Sequence, residues 1–174
     1  MEPAGTAPGA PEGFWRRRIS GPVRRQLTLG VTPDRLAVTL AVGAVCSLFP
    51  FLGFTALLNL GVGLALRLNQ PVLQTLNQLL GPVQLALILV YVRAGELVWG
   101  ASGRPFTIGE MLTAFRDSSV PEFLARFGWA GVHAFTAWLL TAPLLAAAVY
   151  LPSRPLLRRA AARLVAASAV PAGA

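Results

Sequence analysis

The sequence predicts an all-α fold, and within that class a polytopic helical membrane protein with broken or re-entrant helices. Three observations carry the expectation. Hydrophobic residues make up 55% of the chain and charged residues 13%, about half the charged share of an average soluble domain. Residues 36–66, 68–92 and 127–153 carry no acidic or basic charge, and about 20 apolar residues in a row are enough for a helix to cross a bilayer. Two of these runs are punctuated from within, by Pro50 with Gly53 and by Gly81 with Pro82, which divides long apolar segments into short helices. A soluble bundle with an unusually apolar core is the competing reading, and the length of the uncharged runs argues against it. The 174 residues fit one domain. Its expected layout is a disordered and basic segment 1–33, a membrane domain 34–151 and a basic tail 152–174.

Residues 1–13, rich in Pro, Gly and Ala, read as a disordered tail. Residues 14–27, FWRRRISGPVRRQL, combine Phe14 and Trp15 with five arginines. That suits a segment lying on an anionic membrane face, and equally a solvated basic linker. No apolar core with a small-residue cleavage site accompanies the arginines, so the first apolar run is expected to stay as an anchor. "TPDRLA", residues 32–37, is a helix start: Thr32 can cap, Pro33 suits the first turn, and Asp34 complements the positive end of the helix dipole.

From Leu36 only 14 residues precede Pro50, about 21 Å of helix against a hydrocarbon core of about 30 Å. Pro50 donates no backbone bond and biases Phe49 away from helix, while Gly53 permits a tight turn. The following helix, about 54–66, is equally short. Residues 36–66 therefore read as a hairpin that turns inside the membrane, or as two strongly tilted crossings. Backbone freed at such a turn must be buried in protein or face water, and broken helices of this kind gather at the functional centres of transporters.

"RLNQP" then returns the chain to a surface at Arg67, with Asn69 or Gln70 as cap and Pro71 opening the next helix. Gln70, Gln74, Asn77 and Gln78 recur at i, i+4, i+7 and i+8, one polar stripe on a short helix. Gly81 and Pro82 are expected to interrupt it, so that 70–99 is a kinked, interrupted crossing ending at Trp99 and Gly100. Residues 100–127 form a polar connection. Its "TIGEMLTAF" and "VPEFLARFGW" stretches read as two short amphipathic helices resting on the membrane surface. Residues 129–151 are the cleanest single span, with Trp129 and Tyr150 near its ends. The tail carries Arg154, Arg158, Arg159 and Arg163 and no acid.

Orientation follows from the arginines. Residues 16–35 hold six Arg and one Asp, whereas 93–126 hold four acids and four bases. The basic flanks belong in the cytoplasm and the balanced connection outside. The net charge of +8 comes entirely from Arg. Because these residues flank apolar runs, anionic membrane headgroups are the expected partner rather than nucleic acid.

Residues 35–98 resemble the DUF2062 membrane proteins of bacteria. The likeness lies in the "AVG" before the first break, the Pro-x-x-Gly at Pro50 and Gly53, the Arg-x-Asn at Arg67 and Asn69, and Gly95 late in the following helix. "NQLLGP" stands where that family usually shows an Asn-Pro pair. The resemblance implies a bacterial inner-membrane location. Fusions of some members to polyprenyl-phosphate glycosyltransferases imply lipid-linked envelope chemistry. The broken-hairpin layout is similar, as architecture only, to that of the DedA membrane proteins, proposed lipid translocases.

The candidate substrate-binding residues are Arg67, Asn69, Gln70, Gln74, Asn77, Gln78, Arg93 and Glu96, with Pro50, Gly53, Gly81 and Pro82 as turn or hinge positions. Arg67 can hold a lipid phosphate beside a helix N-terminus, or serve only as a snorkelling topology anchor. Arg93 and Glu96, one turn apart, can pair with each other or line a pathway. Asn59, the stripe residues and Gln84 can line a polar cavity or join helices by hydrogen bonds. His133 reads as an interface histidine or a proton relay. No HExxH, GxSxG, paired acids or phosphate-cradling glycine loop is present. Ser47 and His133 alone make no nucleophile–base pair, and Cys46 has no activating neighbour. The sequence thus points to no enzyme, cofactor or metal. It points to a transporter or lipid translocase for a phosphate-bearing lipid or anionic substrate. The alternative is a non-transporting scaffold, as a homo-oligomer or as the partner of an envelope-biogenesis enzyme; a small channel is a weaker third.

Overall fold

The computed structural model describes residues 32–101 and 106–168. The expected tail 1–13, the basic stretch 14–27 and residues 169–174 lie outside the described residues. Among the described residues the chain is all helical: α1 (Pro33–Ser47), α2 (Thr55–Ala65), α3 (Gln70–Trp99), α4 (Ile108–Asp117) and α5 (Val120–Ser168).

α1 begins as its sequence dictates. Thr32 is extended and its hydroxyl accepts from the Arg35 N–H at 3.4 Å, with Pro33 and Asp34 in the first turn. It ends before Pro50, and Gly53 takes a φ of +83° in the turn that follows. α1 and α2 hold 15 and 11 residues, about 22 and 16 Å. They are two short helices joined by a turn. Their far ends meet again, where the Arg35 guanidinium donates to the Arg67 carbonyl at 3.3 Å.

α3 runs antiparallel to α2. Gln70 reaches the Leu60 carbonyl (3.1 Å), Gln74 the Ala56 carbonyl (3.4 Å) and Gln84 the Phe49 carbonyl (2.8 Å). Gln84 is halfway along the 30-residue α3, so the hairpin is half as tall as α3 and its turn abuts the midpoint. Leu73, fully buried, fits where Gly43 of α1 and Gly63 of α2 leave no room for a Cβ. α5 returns along both partners. His133 backbone lies on Gly95, the Trp138 indole donates to the Val45 carbonyl at 3.1 Å, and Arg154 and Arg158 reach Asp34. α4, started by a Thr107–Glu110 capping box, sends Met111 and Ala114 into a core with Ile88, Val92, Phe127 and Ala134.

Two expected boundaries are corrected. Gly81 and Pro82 do not interrupt 70–99, since α3 is continuous with Pro82 inside it. A proline removes one bond, here to the Gln78 carbonyl, and the helix on both sides of it is held by packing against α1, α2 and α5. Nor does the last span stop at 151. α5 has 49 residues, takes in the stretch expected as a separate surface helix at 120–129, and passes through Pro143, Pro152 and Pro155. Its far end is fixed by the two arginines on Asp34 and by Leu157, buried against Leu36 and Ala37.

α3 and α5 are long and apolar enough to cross a membrane. Only 22% and 11% of their most apolar windows are buried, whereas the core helix of a soluble protein is mostly buried. Phe54, Leu57, Leu60, Leu64 and Leu66 along α2 also face outward.

Candidate functional site

The polar stripe of α3 forms a seam with the hairpin. Asn59, with 0% exposure, is its hub. Its amide donates to the Ser47 hydroxyl (3.1 Å), the Thr55 carbonyl (3.0 Å) and the Asn77 side-chain oxygen (3.3 Å). Gln70, Gln74 and Gln84 extend the seam from the hairpin's open end to Phe49, beside Pro50. The three glutamines thus donate to backbone carbonyls, where an amide side chain takes the place of water. Gln78 is exposed and off the seam, because it sits about 100° around the helix from Asn77. Gln84, seven residues beyond Asn77, continues the line instead. Thr55 was not legible as a member, since it contributes its backbone carbonyl, one turn before Asn59 on α2.

At the open end, α2 closes in a Schellman motif. The Leu68 N–H bonds the Gly63 carbonyl (2.7 Å) and the Arg67 N–H the Leu64 carbonyl (3.1 Å), with Arg67 in the left-handed region at φ +51°. That position usually belongs to glycine. The same motif ends α3, and there Gly100 occupies it at φ +62°. Arg67 is exposed. Beside it stand Arg35, bonded to its carbonyl, and the start of α3, where the Asn69 side chain caps the Val72 N–H at 3.2 Å.

Arg93 and Glu96 belong elsewhere. They lie 23 residues or more beyond the start of α3, about 35 Å away, so the structure does not bring them to Arg67. They form a 2.6 Å ion pair in which Glu96 is buried and Arg93 is 51% exposed. His133 is buried nearby, its ring 6.1 Å from Trp99 and 6.3 Å from Trp129. Of the expected hinges, Pro50 and Gly53 stand in the turn, whereas Gly81 and Pro82 are helical. Among the described residues no three His, Cys, Asp or Glu side chains cluster.

Below the turn lies a cavity of about 440 Å³ bounded by the turn, α3, α4 and α5. None of the polar candidates from the sequence lines it; Pro50 alone among the turn and hinge positions does.

Residues 16–164 match a family model described as an uncharacterized protein conserved in bacteria (DUF2062). No curated protein and no solved structure matches the chain.

Proposed function

The chain belongs to the DUF2062 family, and from that premise we propose that it is an integral protein of the bacterial inner membrane that binds an anionic, phosphate-bearing lipid headgroup at the open end of the α1–α2 hairpin and acts as a lipid translocase. Both termini face the cytoplasm. α3 and α5 cross the bilayer, and the hairpin enters from the cytoplasmic side and turns at mid-depth.

One observation carries the headgroup site: an arginine holds a left-handed position that glycine fills at the equivalent end of α3. A non-glycine residue there costs about 1–2 kcal/mol, and an outlier of this kind is a pointer to function. The residue that carries the guanidinium gained in exchange has its backbone carbonyl bonded by Arg35 and stands two residues before the α3 cap Asn69, so two arginines and the positive end of a helix dipole gather there, a setting that favours a phosphate.

The discriminating measurement uses the full chain in liposomes with fluorescent anionic lipids. Arg67→Gly relieves the backbone while removing the guanidinium, so the protein is at least as stable but binds and moves the lipid less well. Arg67→Lys rescues only in part, because an ammonium lacks the planar fork. Arg163→Ala, near the end of α5, changes nothing. A scaffold that docks an envelope enzyme is the second reading. It is favoured by the seam, whose amides are spent on helix-to-helix hydrogen bonds. If Arg67→Gly binds and moves lipid like wild type, the scaffold reading replaces the translocase.

A further inference from the structure

We infer that the cavity beneath the hairpin turn receives one hydrocarbon chain of a phospholipid drawn from the leaflet on the α4 side. The inference rests on the membrane reading above but not on the Arg67 site, which lies at the opposite end of α3.

The space arises from the half-height hairpin. α1 and α2 fill the volume beside the first half of α3 and stop at Gln84. Beside the second half, Ile88 and Val92 face across to Phe127 and Ala134 of α5 and Met111 of α4, and a void remains under the turn. Its chemistry selects the occupant. Among the lining side chains only Ser118 carries a hydroxyl and none is charged. A buried water needs two to four polar partners, so the cavity is not a water site. About 440 Å³ falls within the usual range of small-ligand sites.

Two further features fit a chain rather than a compact solute. Val120 and Leu124 line the cavity and are also exposed, so it communicates with the outer surface of the α4–α5 end. In a bilayer that surface meets lipid. Arg126 lies over the ring of the lining residue Phe127, 5.2 Å from its centroid, so an exposed cation adjoins a wall residue of the cavity, within reach of a phosphate that stays outside when its chain is inserted. Inside, a Cβ on Gly128 would meet nothing within 4 Å.

Gly128 supplies the test. The full chain is reconstituted in nanodiscs containing anionic phospholipid and a trace of the same lipid with a diazirine on one acyl chain. After photolysis, adducts are mapped by mass spectrometry. Adducts concentrate on the cavity wall at Phe123, Phe127 and Met111. Gly128→Trp, which fills the space, removes most of them, and Gly128→Leu removes a smaller share. Gly61→Trp, which points into open space from α2, leaves the pattern unchanged. Thermal unfolding in detergent verifies that the variants fold, and Gly128→Leu alone decides if the tryptophan variant does not. Adducts in the folded Gly128 variants at the wild-type level, or wild-type adducts spread evenly over the lipid-facing helices, overturn the inference. Arg67→Gly keeps the cavity adducts. Loss of lipid movement without loss of those adducts therefore bears on the headgroup site alone. A chain that stays out of the nanodiscs overturns the membrane reading itself, and with it both proposals.

Discussion

Asn59 is the residue on which the hairpin's internal fit depends. It is wholly buried between two half-length helices and α3, and its amide joins all three through Ser47, Thr55 and Asn77. Removing one partner of a buried hydrogen bond leaves the others unpaired, at about 1–3 kcal/mol. Asn59→Ala is therefore expected to lower the thermal stability of the detergent-solubilised protein by that order, and the double variant with Asn77→Ala to cost less than the sum of the two. Gln78→Ala, outside the seam, should stay within about 0.5 kcal/mol of wild type. The left-handed positions give a second residue-scale expectation. Gly53→Ala and Gly100→Ala meet no neighbouring atom, so each costs only the strain of a Cβ in the left-handed region, about 1–2 kcal/mol, while Arg67→Gly gains a similar amount. Stability of Arg67→Gly at or below that of Arg67→Ala in the same unfolding assay would refute the strain account.

At the scale of elements, the α3–α5 crossing depends on Gly95. A Cβ there would collide with the backbone carbonyl of His133, and backbone cannot yield as a flexible side chain can. Gly95→Val should thus destabilise by at least the roughly 1–3 kcal/mol typical of overpacking, and should loosen the Trp99–Thr136 hydrogen bond just beyond it. An unchanged melting temperature would show that the helices are farther apart than described. The hairpin's span follows from arithmetic: helices of 15 and 11 residues cannot each cross about 30 Å of hydrocarbon. α3, with 30 residues, can, and its proline does not prevent it, because one missing hydrogen bond in a long packed helix is a local loss.

For the whole molecule, the ends of the chain's described part are tied by charge. Asp34 sits at the start of α1 between Arg158 and Arg154 of α5, at 2.8 and 2.7 Å. The hydrogen bond from Arg158, then that from Arg154, holds its carboxyl below the ordinary carboxylate value. The folded-state value is the lower one, so the clamp's contribution is complete above about pH 4, the ordinary Asp value, and is lost as pH falls through the folded value. Protease susceptibility near residue 154 should accordingly be flat from pH 8 to 5 and rise below about pH 4, with high salt mimicking part of the effect because the pair is exposed. Asp34→Asn should remove that pH dependence. The clamp also sets the two outer ends of the fold side by side, so cysteines placed at position 32 and position 160 should react from the same side of the membrane. Labelling from opposite sides would refute the proposed topology.

Much of this was written into the sequence. Uncharged runs specify helices that prefer hydrocarbon, Thr32, Asn69 and Thr107 start helices at the residue where they stand, and Pro50 with Gly53 fixes the turn. These are local effects: caps and turns act over three or four residues, and hydropathy needs only composition. Family membership was likewise visible in residues 35–98. What the sequence left open was decided by packing. A proline alone does not mark a break: Pro50, with Gly53 three residues on, follows the end of a helix, whereas Pro82, Pro143, Pro152 and Pro155 lie inside helices. The difference is whether neighbouring helices hold both sides of the proline in line. The i, i+4, i+7 spacing placed three amides on one face, but only the folded hairpin supplied the carbonyls and Asn59 that bond them and extended the seam to Gln84. The unbroken α3 that carries Arg93 about 35 Å from the Arg67 end and the apolar cavity under a half-height hairpin both depend on where distant segments meet, and that information lies in the tertiary structure alone.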